Sequence, residues 1–199
     1  SGDVIIEEGV KSIPAYTFQN SAISGIVIPT TVTNIGINAF SWCSDLVKIV
    51  VTEGNAIYHS SGNCLIETES KTLIYGCQSS HIPSDGSVTS IGHDAFLGCN
   101  KLTNIVVPDT ITSIGMGAFE GCDGLTSITL PFVGSGKNTS GASSKYFGYI
   151  FGIKPFNPSN EYVPASLKEV KITGGSIIAA NAFYNCSSLT SIEIPDSVT

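Results

Sequence analysis

Arginine is absent from this chain of 199 residues. All nine basic residues are lysine, and against 16 acidic residues they leave a net charge of -7. Arginine's planar fork is the usual reader of phosphates and base edges, and a nucleic-acid binder needs a basic footprint. Nucleic acid is therefore not an expected partner. No polybasic stretch offers an anionic membrane anything to hold. No apolar run approaches the roughly 18–20 residues of a spanning helix, so no membrane insertion is expected of this segment, and there is no charged-then-apolar leader at its start. Cys-x-x-Cys pairs are missing, no histidine stands at ligand spacing from a cysteine, and a metal site has no support. Gly134-Ser135-Gly136-Lys137 falls short of a phosphate loop, because Pro131 and Asn138 stand where the motif needs glycine and Ser/Thr. No Gly-x-Ser-x-Gly elbow is present to select a nucleophile from the many serines. These absences lead to the expectation of a non-enzymatic chain with no cofactor and no catalytic residues.

What the chain has is a repeat. Ile91, Ala95, Phe96, Cys99, Leu102 and Ile105 recur as Ile114, Ala118, Phe119, Cys122, Leu125 and Ile128, a period of 23 residues. Self-similarity at this period marks a solenoid in which each repeat forms one coil. Aligned on phenylalanine, the coils are those of Phe18, Phe40, Phe96, Phe119 and Phe183. Each is followed by a short run with alternate apolar residues: Ile26-Val27-Ile28, Ile49-Val50-Val51, Ile105-Val106-Val107, Ile128-Thr129-Leu130 and Ile192-Glu193-Ile194; Val170-Lys171-Ile172 is a further such run between the last two, and Val4-Ile5-Ile6 lies ahead of them. Such runs predict strands with one face buried, stacked in parallel about 4.8 Å apart. Proline directly after several of them ends the strand cleanly. Gly36, Gly92 and Gly115 are expected where the coil bends, and Ala-Phe-x-x-Cys-x-x-Leu has the spacing of a short helical turn. The expected fold is an α/β repeat solenoid forming one domain over 1–199, with a parallel β-sheet on the concave face and short turns or helical segments opposite. The chain starts and stops inside a coil with no capping repeat, so it is expected to be part of a longer protein.

Two coils break the period. Phe40 and Phe96 are 56 residues apart, and Phe119 and Phe183 are 64 apart. The first variant coil, 52–83, holds Cys64-Leu65-Ile66-Glu67 and Thr72-Leu73-Ile74-Tyr75 around a polar turn, which predicts a β-hairpin. The second, 132–166, has a Gly/Ser-rich stretch followed by a dense group of aromatics: Phe132, Tyr146, Phe147, Tyr149, Phe151, Phe156 and Tyr162.

Ile-Pro-x-x-Val-Thr-x-Ile-Gly-x-x-Ala-Phe-x-x-Cys-x-x-Leu resembles the BspA-like (Treponema-type) leucine-rich repeat over nearly the whole chain. The resemblance implies a right-handed leucine-rich-repeat superhelix from a secreted or cell-surface bacterial protein, often of a host-associated bacterium, with roles in adhesion and protein binding. It implies no catalytic residues. Phe40, Phe96, Phe119, Phe183 and their neighbours match as structural positions.

The remaining candidates have bland readings beside the functional ones. Cys43, Cys99, Cys122 and Cys186 hold one fixed place in the repeat, so they read as a ladder of small buried thiols, spaced too far apart for disulfides. Cys64 and Cys77 lie opposite each other if the hairpin turns at Ser70-Lys71, where a disulfide is an open alternative. His59, His81 and His93 read as ordinary surface histidines. Asn138-Thr139-Ser140 and Asn185-Cys186-Ser187 are formal glycosylation sequons.

The middle residue of each strand points away from the core. That column contains Ile5, Val27, Val50, Val106 and Thr129 before it turns charged at Lys171 and Glu193. An exposed β-branched stripe reads either as a binding surface or as plain β-propensity. Both variant coils leave the path just after a strand, so they are expected to project from one edge. There Tyr146, Phe147 and Tyr149 join Ile5, Val27, Val50, Val106 and Thr129 as the candidate partner-binding set. The alternative is that the aromatics cover the solenoid's own edge. The expected partner is a protein, either a host matrix component or a bacterial surface protein. The alternatives are a glycan bound by the aromatic loop, or a spacer role beside another domain.

Overall fold

The computed structural model describes residues 2–137, 144–152, 160, 162–175 and 177–198. Phe156 and the sequon at Asn138 lie outside them. The predicted strands are present and stack in parallel, in two groups. β1 (Asp3–Ile5), β3 (Gly25–Ile28) and β5 (Lys48–Val51) form the first. β10 (Asn104–Val106), β12 (Ser127–Leu130), β13 (Glu169–Ile172) and β14 (Ser191–Glu193) form the second. Their registers set repeat positions side by side, as in Ile26↔Ile49 and Ile128↔Val170. Ile26, Ile49, Ile105, Ile128 and Val170 therefore all enter the core.

A second set of short strands lies one corner further along each coil. β2 (Ser12–Ile13) pairs with β4 (Asn34–Ile35), and β9 (Ser90–Ile91) pairs with β11 (Ser113–Ile114). Gly36 and Gly115 follow these strands because the coils touch there backbone to backbone. A Cβ on Gly36 would overlap Ala15, and one on Gly115 would overlap His93 and Gly92. Close approach, rather than a bend, is what requires glycine at these two positions.

The side expected to hold helical turns is built from single turns. The described residues contain one helix, a 3-10 helix at Phe147–Phe151 in the aromatic coil. Two left-handed residues four apart flank each Ala-Phe position: Tyr16 and Asn20, Asn38 and Trp42, Asp94 and Gly98, Gly117 and Gly121, Asn181 and Asn185. A left-handed residue cannot propagate a right-handed helix. The chain closes three-residue turns instead, with Cys43 N–H donating to Phe40 C=O and Leu46 N–H to Cys43 C=O. The phenylalanines point inward and stack: Phe18 on Phe40 with centroids 5.8 Å apart, Phe96 on Phe119 at 5.1 Å. Phe96 and Phe119 are fully buried, and each such ring stabilises the fold by about 1.5–3 kcal/mol.

The hairpin is present as β7 (Cys64–Glu67) against β8 (Thr72–Tyr75), antiparallel with a bulge at Leu65/Ile66. A third strand that the sequence did not suggest, β6 (Tyr58–Ser61), pairs with β7 on its other side. The hairpin does not project. β8 pairs in parallel with β9, and β7 is buried on both faces. Leu65 faces the core shared with Phe40, while Cys64 and Ile66 face the core shared with Phe96. The insertion thus separates two apolar cores.

The hairpin coil also takes a shortcut. A regular coil accepts a bond at Ile13 C=O from Gly36 N–H and donates from Phe18 N–H to Ala39 C=O, five residues on. In the hairpin coil the same bonds, Gly92 N–H to Leu73 C=O and Gly76 N–H to Ala95 C=O, are three residues apart. Tyr75 fills the missing ring position, edge-on to Phe40 at 5.2 Å. Its hydroxyl accepts from Ala39 N–H and donates to Gly36 C=O, both at 2.9 Å. On the outer side, Trp42 N–H bonds directly to Leu97 C=O, and the indole lies over Gly98 and Gly121 with no room for a Cβ on either.

Candidate binding surfaces of the solenoid

The mid-strand column stands on the open face of the two strand groups. Ile5 is 71% exposed and Val106 59%, while Val27, Val50 and Thr129 are half-buried. At the far end Lys171 donates to Glu193 across 2.6 Å, so the charged part of the column is internally paired. Ser80, His81 and Ile82 alternate buried, exposed, buried and lead into Pro83, as Ile26-Val27-Ile28 lead into Pro29, but they pair with neither strand group, and His81 N–H donates to Gly62 C=O of the hairpin coil.

The aromatic coil does not supply a side wall of rings. Phe132, Phe147 and Phe151 are buried, and the Phe147 ring packs tilted 5.1 Å from Phe183 and edge-on 5.3 Å from Phe151. The two rings continue the phenylalanine row where Ala-Phe is missing. Tyr146 and Tyr149 are half-buried, and Lys145 Nζ sits 5.3 Å from the centre of the Tyr146 ring. Of the three loop residues proposed as contacts, two keep some exposure and Phe147 has none. Asn160, almost wholly buried, fastens this coil: it accepts from Gly148 N–H at 2.7 Å and donates to Ala182 and Tyr184 carbonyls. Neither its place in the sequence nor its type had suggested this role.

A family model described as a BspA type leucine-rich repeat region matches residues 2–83, 70–141 and 158–199, in six copies. The chain belongs to this family. Three solved leucine-rich repeat structures are similar to it in fold. A leucine-rich repeat protein from Eubacterium ventriosum is 21% identical with a TM-score of 0.58, covering 100% of this chain and 56% of its own. A leucine rich cell surface protein from Faecalibacterium prausnitzii is 24% identical with a TM-score of 0.56, covering 96% and 59%. A leucine-rich repeat protein from Bacteroides ovatus is 24% identical with a TM-score of 0.52, covering 98% and 49%. The chain thus spans about half to three-fifths of the length of these relatives. Comparison with curated proteins finds no match.

The BspA-type cysteine has a local task here. Each thiol donates to a main-chain carbonyl of the preceding coil: Cys43 to Phe18 at 3.0 Å, Cys99 to Gly76 at 3.8 Å and Cys122 to Phe96 at 3.4 Å. All six cysteines are free, Cys64 and Cys77 among them. Burial pushes the thiols up, Cys64 to about 12 and Cys186 to about 11, with Cys99 and Cys122 also raised well above the ordinary range. They are poor nucleophiles at neutral pH, since the thiolate is the reactive form. A raised native pKa means that the folded chain holds protons the unfolded chain releases above about 8.5. This contribution to stability is present below that pH and declines above it. In an Ellman's assay at pH 8, half-buried Cys186 is expected to react first. Cys99 and Cys122 are expected to react only with denaturant present. Rapid labelling of Cys122 in the folded chain would contradict the burial.

Three histidines remain. His59 Nδ1 lies 2.9 Å from Thr68 Oγ1, and His81 and His93 are exposed. Among the described residues no three or more His, Cys, Asp or Glu side chains are grouped to hold a metal, and no helix is long and apolar enough to cross a membrane.

Proposed function

We propose that this segment is a non-enzymatic protein-binding module of a secreted or cell-surface bacterial protein, working in adhesion. The partner lies along the exposed strand face, and the observation that carries this is the column itself. Val106 is 59% exposed on β10, the first strand of the second group, beside half-buried Thr129, and Val27 and Val50 hold the same position in the first group. Contiguous exposed apolar surface on a folded chain marks interaction sites, and the polar strand neighbours Lys48, Asn104 and Ser127 give it the rim such sites have. The family's solenoids are scaffolds whose function resides in surface residues, and a relative described as a cell surface protein fits the location. The partner is a host matrix component or another bacterial surface protein.

Val106→Lys tests this. The side chain packs against little, so the melting temperature is expected to stay within about 2 °C, as for surface changes of under about 0.5 kcal/mol. Retention on immobilised host matrix or mucosal proteins is expected to fall at least tenfold. Unchanged retention by a folded Val106→Lys chain would remove the sheet face from consideration.

A further inference from the structure

The shortcut in the hairpin coil leaves a gap with a definite shape. In two regular steps a corner residue bridges two coils through its main chain: Tyr16 N–H donates to Ile37 C=O at 3.1 Å and Asp94 N–H to Met116 C=O at 3.3 Å. Gly117 N–H makes a comparable bond to Tyr149 C=O of the aromatic coil at 3.1 Å. The hairpin coil omits that corner, passing from Leu73 to Gly76 in three residues. Where its corner would be there is a cleft of about 300 Å³, bounded by Ile35–Asn38 of the coil below, Gly92–Asp94 of the coil above, and Ile74 and Tyr75 at the back.

The two walls are surfaces that hold main chain everywhere else in the solenoid. His93 C=O occupies the acceptor position of Ile37 and Met116, yet no donor reaches it among the described residues. Gly92 is the telling residue. Gly36 and Gly115 touch the backbone of the preceding coil and need glycine for it, but the nearest atom to a Cβ on Gly92 is Leu73 O at 3.2 Å. Gly92 is thus pressed less closely by the preceding coil than Gly36 and Gly115 are, and it lines the cleft as a bare main-chain surface. Ile37, 67% exposed, stands at the rim, and half-buried Ile74 lies behind.

We propose that this cleft binds an extended segment of the partner protein, which takes the place of the missing corner. One of its main-chain N–H groups donates to His93 C=O. An apolar side chain lies between Ile37 and Ile74, and Gly92 provides the clearance. The occupant is a peptide because the same two walls, in the neighbouring coils, are bridged by peptide groups at the same positions. The proposal rests on the protein-binding reading and adds a second contact to it, away from the strand face.

The test uses Gly92→Ala and the capped tripeptide acetyl-Gly-Leu-Gly-amide, followed by amide shifts in the ¹⁵N-labelled chain. Saturable shifts are expected at residues 35–38, 74–75 and 92–94. The same tripeptide N-methylated at leucine, which lacks that N–H, should bind at least tenfold more weakly. Gly92→Ala should fold with a smaller loss of stability than Gly115→Ala, since its Cβ meets Leu73 O at 3.2 Å rather than overlapping main chain, and should lose the shifts. Gly115→Ala, by contrast, is expected to melt at clearly lower temperature, because its Cβ has nowhere to go. No saturable shift, equal binding of the N-methylated peptide, or undiminished binding by a folded Gly92→Ala chain would each overturn the proposal. If Gly92→Ala does not fold, the N-methyl comparison decides alone. Val106→Lys should leave tripeptide binding intact, so failure of the cleft and failure of the strand face are read separately.

Discussion

Phe119→Ala is expected to lower stability by about 3–5 kcal/mol, the range for emptying a buried aromatic site. The ring is fully buried, with Phe96 5.1 Å away on one side and Phe151 6.3 Å away on the other. Its neighbours cannot collapse into the void, because main-chain bonds between successive coils hold them in place: Phe96 N–H donates to Ala118 C=O and Phe119 N–H to Ile150 C=O. Phe18→Ala, at the partly buried end of the row, is expected to cost well under half as much. Urea titrations of the two variants check the ratio, and equal losses would mean that the row does not act as a continuous core.

Tyr75→Phe is expected to cost about 2–4 kcal/mol although it removes a single oxygen atom. The hydroxyl both accepts from Ala39 N–H and donates to Gly36 C=O in a buried setting. Removing it strands two main-chain groups, at roughly 1–3 kcal/mol each. Phenylalanine is what the repeat carries at the equivalent ring position in five coils, so a consensus argument predicts stabilisation. The opposite sign is expected here because the equivalent groups in the coil of Phe119 bond to each other, Ala118 N–H donating to Gly115 C=O, whereas the Tyr75 hydroxyl stands between them in the coil of Phe40. Thermal melts of Tyr75→Phe and Phe40→Tyr separate the two views.

The period made most of the fold legible. Rows of Ile, Phe, Cys and Leu at fixed spacing leave no other way to be buried together, and they enter the cores except towards the ends, where Phe18, Phe183, Cys186 and Leu189 are partly buried and Ile192 is exposed. The hairpin of β7 and β8 was legible for the same reason, since both carry apolar runs about a polar turn. β6 was not. Tyr58-His59-Ser60-Ser61 shows no apolar alternation, and it is a strand only because β7 offers an edge. The helical turns were misjudged because i, i+3 spacing describes turns as well as helices, and the left-handed pairs that decide between them are in part ordinary residues such as Tyr16 and Trp42.

The candidate surface divides along the same line. Val106 could be placed from alternation alone. Phe147 could not, because an aromatic-rich loop reads alike whether it covers a core or joins one. The corner cleft could not be foreseen either. It is a difference between two hydrogen-bond paths, and no residue type signals a missing pair of residues.

Stacked repeats carry a hazard that the hairpin coil answers. Coils with interchangeable rows can pair with the wrong neighbour, since Phe96 would accept the underside of Phe40's coil nearly as well as its own partner's. β7, facing one core with Leu65 and the other with Cys64 and Ile66, fits only one place in the sequence of coils. Tyr75 likewise finds its two partners only on the coil of Phe40. The insertion thus serves as an address: it numbers the coils on either side of it, and a chain folding from either end reaches a junction that admits a single alignment.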